Sequence, residues 1–145
     1  MSLAPQTIHF EDLRIGMRET TRKHVSADDI AAFAEISGDR NPIHLSEEFA
    51  AQTPFGGRIA HGIFTAGLIS AAIATRLPGQ GTIYLGQSLR FVAPVRIGDE
   101  VATTVEIIEL IERGRRAKLR CECRVGDTLV LEGEAEVKAP GKPVI

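Results

Sequence analysis

The segment IAHGIFTAGLISAAIAT occupies residues 59–75 and has no charged side chain between Arg58 and Arg76. Its length is close to the lower limit of about 17 residues for a helix that spans a membrane. Two glycines, one serine and one histidine make its hydrophobicity modest for such a span. We therefore interpret the segment as a helix buried in the core of a soluble domain, with no membrane partner. The glycine- and proline-rich residues 77–81 are expected to terminate it.

The chain after this segment alternates apolar and polar residues, which is typical of antiparallel strands with one buried face. The alternation predicts four long strands, over residues 83–92, 101–110, 119–125 and 129–138. Gly126-Asp127 is expected to form the tight turn between the last two strands. A one-sided sheet and an uncharged helix bury each other's apolar surface. We therefore predict an α+β domain in which a curved antiparallel sheet wraps around the central helix and covers it almost completely.

The first part of the chain carries helix and loop signals. Residues 10–25 indicate a short strand pair or an extended segment. Ser26 and Asp29 have the spacing of a capping box, so we expect a helix that begins after Ser26 and ends at Gly38. An ordered loop follows, and a second short helix is expected over residues 46–52.

Length and charge exclude several classes of protein. A chain of 145 residues is typical of one domain. Its 17 basic and 19 acidic residues give a formal net charge of −2, so no nucleic-acid partner is expected, because such a partner usually requires a basic excess. We predict a single domain over residues 1–145, with a flexible N-terminus over 1–7 and a flexible tail over 139–145.

The two cysteines and the N-terminus bear on the cellular compartment in which the protein is expected. Cys121 and Cys123 are one residue apart on a predicted strand, so they point to one face and are too close in sequence for a normal disulfide. We expect two buried, reduced thiols, which suit the cytoplasm. The chain lacks paired Cys or His residues with metal-ligand spacing, and its first residues do not resemble a signal peptide. A cytoplasmic protein with no metal is predicted.

A carboxylate and an imidazole flank a stiff loop after Gly38. Asp39 and His44 stand on either side of Asn41-Pro42, which places both side chains within reach of one point. An acid and a base aimed at one water molecule can remove a proton from it and return a proton elsewhere. The alternative is that Asp39 caps a turn while His44 packs beside the proline.

The start of the uncharged helix offers a second functional element. A helix N-terminus has free N–H groups and partial positive charge, and a glycine there allows close approach of a ligand oxygen. Gly62 is therefore a candidate oxyanion donor, and close packing of helix and sheet is the alternative. His61 is expected to pack at this helix end. Ser70 most simply bonds the carbonyl four residues earlier, since the chain has no G-x-S-x-G elbow.

The run FAEISGDRNPIH, residues 33–44, resembles the hydratase motif of the MaoC-like (R)-specific enoyl-CoA hydratases, S-G-D-x-N-P-[LIV]-H, and matches it throughout this core. The runs AHGI, residues 60–63, and LPGQGTIYLGQSLRF, residues 77–91, resemble the short members that supply polyhydroxyalkanoate synthesis. The similarity extends over about residues 8–138. The fold of this family is the hot dog, a curved antiparallel sheet around a long central helix, in agreement with the pattern above.

The resemblance implies roles for particular residues. Asp39 and His44 match the catalytic pair that holds the attacking water. The Gly62 N–H matches the donor to the thioester carbonyl. The implied substrate-binding residues are Gly62, Ser70, Ile73 and Asn41, with Ile73 at the border of the acyl pocket. The family also implies a homodimer or higher homo-oligomer, with two sheets edge to edge and each site at the subunit interface.

The implied reaction is reversible hydration of a trans-2-enoyl-CoA to an (R)-3-hydroxyacyl-CoA. This reaction needs no organic cofactor or metal, because coenzyme A is part of the substrate. Arg58, Arg90 and Arg96 are candidates for contacts with its phosphates. Two alternatives stay open: a hot-dog acyl-CoA thioesterase, and a non-catalytic acyl-binding or dimerisation module.

Overall fold

The computed structural model describes residues 4–144, which form one antiparallel sheet and a set of helices. The strands are β1 (Arg18–His24), β2 (Ile83–Gln87), β3 (Arg90–Phe91), β4 (Glu100–Ile111), β5 (Arg116–Val125) and β6 (Thr128–Lys138). The α-helices are α1 (Ala27–Ser37), α2 (Pro42–Leu45), α3 (Glu47–Ala51) and α4 (Gly62–Thr75), and a single 3-10 turn covers Phe10–Asp12.

The sheet is built around the β4-β5-β6 meander. The strand order is β1-β4-β5-β6-β2, and the short β3 also pairs with β6. Helix α4 packs against β1, β4 and β5. Its Ile69 and Ile73 join a core with strand residues such as Val105, Ile107 and Leu119. The predicted α+β hot-dog architecture, an antiparallel sheet packed on a long helix, is confirmed.

Helix α4 is covered on one side only, so the expected near-complete coverage is wrong for a single chain. The buried side has the i, i+4, i+7, i+8 spacing of one helix face and consists of Thr65, Ile69, Ala72 and Ile73. The opposite face is exposed and consists of Ile63, Gly67, Ala71 and Ala74. A single sheet covers only one face of a helix. The absence of charged residues from the segment did not reveal that the second face of α4 would stay exposed within the chain.

The strand predicted over residues 83–92 is interrupted. It forms β2 and β3, with residues 88–89 between them. A Cβ on Gly133 of β6 would lie 1.8 Å from the Ser88 carbonyl oxygen, so the chain crosses β6 in close contact at this point. The Ser88 N–H donates to the Glu134 carbonyl at 2.9 Å. This close crossing is a long-range contact, which the local alternation of residue types does not reveal.

The N-terminal half differs from the predictions in two places. Residues 10–25 form the 3-10 turn and the single strand β1, so the strand pair is wrong and the extended-segment alternative holds for β1. The expected loop at residues 42–45 is the single-turn helix α2, with Pro42 at its start. The capping box of α1 is confirmed, because Ser26 Oγ accepts from Asp29 N and Asp29 Oδ2 accepts from Ser26 N, both at 3.0 Å. Gly38 ends α1 with φ of 79°.

Both predicted flexible ends lie partly outside the described residues, which exclude 1–3 and 145. Within residues 4–144, Gln6 N donates to the Thr75 carbonyl at 2.7 Å, and Phe10 N donates to the Pro140 carbonyl at 2.7 Å. These bonds connect both ends of the chain to the rest of the domain. The flexibility of 1–7 and 139–145 stays a prediction.

Two further expectations concern the core and the membrane. Cys121 and Cys123 are free and buried, as predicted, and burial raises the pKa of Cys121 to about 11, which keeps this thiol protonated at neutral pH. In the described part of the chain, every helix is too short or too polar to cross a membrane.

Candidate active site

His44 lies on α2 with one ring nitrogen already engaged. Its Nδ1 is 2.8 Å from the Ile59 carbonyl oxygen. Because a carbonyl only accepts hydrogen bonds, Nδ1 carries a proton, and in the neutral imidazole Nε2 then has the lone pair. The residue is 8% exposed, so the orientation of its ring is set by the protein. The structure therefore presents Nε2 of His44 as a proton acceptor, the form that a general base requires.

The Ile59 segment and α2 hold each other in place. The Ile59 N–H donates to the Ile43 carbonyl at 3.3 Å, and Arg58 Nε donates to the His44 carbonyl at 2.7 Å. These bonds join the single turn that carries His44 to the chain just before α4. The base and the helix N-terminus are thus parts of one hydrogen-bonded unit.

Asp39 follows the left-handed Gly38 and is exposed. Its Oδ1 accepts from Asn41 N at 3.2 Å, which is the turn contact predicted as the alternative role. The side-chain ligand atoms of Asp39, His44 and His61 all lie within 4.8 Å of one another. The structure therefore brings the predicted acid and base together, although five positions separate them in sequence.

His61 is part of the same group and precedes α4. Its Nε2 donates to the Asp39 carbonyl at 2.9 Å. Its ring stacks on that of His44, with centroids 3.9 Å apart and planes inclined by 29°. Lone pairs of stacked rings lie in nearly parallel planes and do not converge on a point between them, whereas metal ligands must converge. The expectation of no metal stays a prediction.

Gly62 is the first residue of α4, so its N–H has no partner within the helix and lies at the positive end of the helix dipole. A Cβ at this position would lie 2.5 Å from the Phe91 ring. The close-packing role of the glycine is therefore confirmed. The role of its N–H as an oxyanion donor stays a prediction.

A cavity of about 540 Å³ adjoins both His44 and Gly62. Its volume is within the usual range for small-molecule sites. Apart from these two residues and Thr65, the wall is apolar, and it includes Phe55, Ile59, Ile63, Phe91, Val92, Val95, Val130 and Leu131. A largely apolar wall that includes a base and a free N–H suits an apolar ligand that carries a polar group.

Ser70 and Ile73 lie away from this cavity in a single chain. Ser70 is eight residues after Gly62, which places it about 12 Å further along the helix at 1.5 Å per residue. Ile73 is 2% exposed and belongs to the core. Asn41 Oδ1 accepts from Ile43 N at 3.2 Å and so caps α2. The substrate-binding roles of these three residues stay predictions.

The three candidate arginines occupy different places. Arg58 contacts the carbonyl of His44, and Arg96 forms an isolated bridge with Ile59, so both lie beside the site. Arg90 lines a separate cavity of about 370 Å³ near Arg120. Contacts of all three with phosphates stay predictions.

Sequence reasoning missed the contacts that Phe91 and Thr65 make at the site. Phe91 lies within the run of residues 77–91 that carries the resemblance, but its packing on Gly62 joins positions far apart in the chain. Thr65 is one turn after Gly62 and is buried in the cavity wall. The sequence did offer one signal for Thr65: a residue three positions after the glycine lies on the same side of the helix.

The chain is similar to known proteins over most of its length. The family model described as MaoC like domain matches residues 14–128. The chain is 61% identical over 137 residues to a 3-hydroxybutyryl-CoA dehydratase of Methylorubrum extorquens, covering 94% of this chain and 87% of that protein. It is 44% identical over 131 residues to an (R)-specific enoyl-CoA hydratase of Aeromonas caviae, covering 90% and 98%.

Solved structures show the same fold. The unliganded R-hydratase PhaJ1 from Pseudomonas aeruginosa superimposes with a TM-score of 0.89 at 42% identity, covering 94% of this chain and 88% of that one. The (R)-hydratase from A. caviae involved in PHA biosynthesis superimposes with a TM-score of 0.87 at 44% identity, covering 90% and 99%. These likenesses span nearly the whole domain.

Proposed function

Because the chain belongs to the MaoC-like domain family, we propose that it is a hydro-lyase that reversibly hydrates trans-2-enoyl-CoA to (R)-3-hydroxyacyl-CoA. The observation that carries this proposal is the position of His44. A ring nitrogen of His44 and a carboxylate oxygen of Asp39 lie within 4.8 Å of each other, and His44 and Gly62 line one apolar cavity. The names of the similar proteins, hydratases and a dehydratase, support both directions of the reaction.

The proposed chemistry uses the polarity of the thioester. Water bound between Asp39 and His44 loses a proton to His44 Nε2 while its oxygen bonds to C3 of the substrate. The electrons of the C2–C3 double bond shift to C2 and the thioester carbonyl, whose oxygen gains negative charge. The Gly62 N–H stabilises this charge, and such a donor contributes roughly 3–4 kcal/mol in other enzymes. Protonation of C2 by the acid–base pair completes the addition.

Crotonyl-CoA hydration tests the proposal. Loss of the enoyl absorbance without release of free thiol supports a hydratase. Release of thiol from a saturated acyl-CoA would instead indicate a thioesterase, because hydrolysis frees coenzyme A while hydration retains it. Failure to turn over any enoyl-CoA from crotonyl-CoA to dodecenoyl-CoA would indicate the non-catalytic acyl-binding module.

The role of the Gly62 N–H is tested by a matched pair of variants. Gly62→Ala keeps the N–H but places a Cβ against the Phe91 ring, whereas Gly62→Pro makes a similar contact and removes the N–H as well. Proline is favoured at the first position of a helix, and His61, with φ of −60° and ψ of 133°, has the backbone conformation that precedes proline. We expect kcat of Gly62→Pro to be roughly 10²–10³-fold below that of Gly62→Ala. Equal kcat values for the pair would remove the N–H from the mechanism.

We also propose that the enzyme is a homodimer joined through β2. This strand lies at an edge of the sheet, and its Ile83 and Leu85 are 56% and 51% exposed. An edge strand presents unpaired N–H and carbonyl groups that pair readily with another strand, and clustered exposed apolar side chains mark an interface.

We also propose a cytoplasmic location for the enzyme. The two free, buried cysteines are consistent with it, because the cytoplasm keeps thiols reduced.

A lysine at this edge tests the dimer. In a two-fold interface Leu85→Lys introduces the new charge twice, and like charges across an interface cost several kcal/mol. We expect the dissociation constant of the dimer, measured by sedimentation, to rise by about two orders of magnitude. Ile36→Lys is the matched control, since Ile36 is also exposed and belongs to α1. If Leu85→Lys and Ile36→Lys sediment alike, the dimer does not form through β2.

A further inference from the structure

His61 is a buried polar residue that the proposed reaction does not use. It is 2% exposed and lies between two aromatic groups, His44 at 3.9 Å and Phe33 at 4.8 Å between ring centroids. Packing of this kind requires a flat ring but no nitrogen. A phenylalanine would fill such a site without burying polar atoms.

The nitrogens of His61 are used unequally. Nε2 donates to the Asp39 carbonyl, and Nδ1 is buried without a hydrogen-bond partner among residues 4–144. A buried polar atom without a partner is costly, so its retention needs an explanation other than packing. The hydrogen bond from Nε2 supplies one, because it is directed at the residue that carries the catalytic carboxylate.

Few other hydrogen bonds hold Asp39 in place. Asp39 N donates to Ser37 Oγ, at the end of α1, at 3.0 Å, and Asp39 Oδ1 accepts from Asn41 N, so both contacts are with residues only two positions away in the chain. Within the described part of the chain, the bond from His61 is the one that joins Asp39 to a residue distant in the sequence, at the start of α4. The loop is exposed, and without this bond its carboxylate would move relative to His44.

We propose that His61 is a positioning residue for the hydration reaction, which fixes the Asp39 carboxylate relative to His44 and the Gly62 N–H. Its Nε2 holds the backbone of Asp39, its ring face supports the imidazole of His44, and its own backbone leads directly into Gly62. The inference rests on the proposed function and adds a residue that touches no reacting atom.

Two substitutions separate the hydrogen bond from the packing. His61→Phe keeps a flat ring against His44 and removes the donor. His61→Gln removes the ring but carries an amide nitrogen that reaches about as far as Nε2. A misplacement of about 1 Å costs about 10²-fold in rate, so we expect kcat of His61→Phe for crotonyl-CoA to fall by about that factor, with KM changed less than about threefold. His61→Gln is expected to recover about tenfold of that loss.

A double substitution distinguishes positioning from general stability. If His61 acts through the Asp39 carboxylate, then His61→Phe costs less than about threefold when it is added to Asp39→Asn. If the role of His61 is purely structural, His61→Phe lowers kcat by the same factor in the wild-type chain and in the Asp39→Asn variant. His24→Phe, at an exposed position of β1, is the matched control and is expected to leave kcat unchanged.

The outcomes are distinguishable from those of the hydratase proposal. A wild-type chain with no enoyl-CoA turnover overturns the proposed function and this inference with it. An active wild-type chain beside a His61→Phe variant of equal kcat overturns the inference alone. Additive losses in the double variant, or a folded His61→Gln variant whose kcat is no higher than that of His61→Phe, overturn it as well.

Discussion

Replacement of His44 by asparagine is expected to lower kcat for crotonyl-CoA hydration by about 10³–10⁴-fold. Asparagine is the informative substitution because its amide nitrogen occupies the place of Nδ1 and can donate to the Ile59 carbonyl, as the imidazole does at 2.8 Å. What it lacks is a basic atom at the position of Nε2. A positioned general base contributes about 10²–10⁴-fold, and the upper part of that range is expected where the base accepts the proton of the attacking water.

His44→Ala provides the comparison. It removes the base and also leaves the Ile59 carbonyl without its donor, a loss of about 1–3 kcal/mol for a buried group. We expect equal kcat values for His44→Asn and His44→Ala, but a lower free energy of unfolding for His44→Ala alone. Wild-type kcat in the folded His44→Asn variant would show that His44 is not the base.

Replacement of Asp39 by asparagine is expected to lower kcat by about 10²–10³-fold with the fold intact. The amide oxygen can still accept from Asn41 N, so the turn at 3.2 Å is preserved while the negative charge is lost. Without the charge, the water is oriented less well and the pair cannot pass a proton to C2 as readily. Because Asp39 is exposed, the free energy of unfolding should change by less than about 0.5 kcal/mol.

The control for Asp39→Asn is Asp28→Asn, which removes another exposed carboxylate from the first turn of α1. Single-turnover and steady-state rates with crotonyl-CoA check both variants. Equal losses for Asp28→Asn and Asp39→Asn would mean that net charge, and not the Asp39 position, controls the rate.

The same site also clarifies why a thioesterase is the relevant rival. A donor such as the Gly62 N–H polarises the thioester carbonyl for attack at C1 as well as at C3. The two reactions differ in where the water stands relative to that carbonyl. The position of the water is set by Asp39 and His44, so the substitutions above are expected to reduce hydration without exposing a thiol-releasing activity.

Much of the fold follows from local sequence. The capping box at Ser26 and the left-handed Gly38 delimit α1, because these signals act within a few residues of one another. The uncharged run before Arg76 contains α4, and the alternation after residue 100 predicts β4, β5 and β6. The Asp39 and His44 pair was also predictable, since a short loop with a stiff Asn41-Pro42 limits how far apart its ends can lie.

Only the tertiary structure decided the remaining features, because each depends on a contact between positions far apart in the chain. The break after Gln87 results from the close crossing of Ser88 over Gly133. The tautomer of His44 is set by a carbonyl fifteen residues away, at Ile59. The arrangement of His61 against the catalytic pair, and the single covered face of α4, arise in the same way. Hydrophobic periodicity shows that a side chain is buried, but the identity of its neighbour is determined by how the sheet, the helix and the loops pack together.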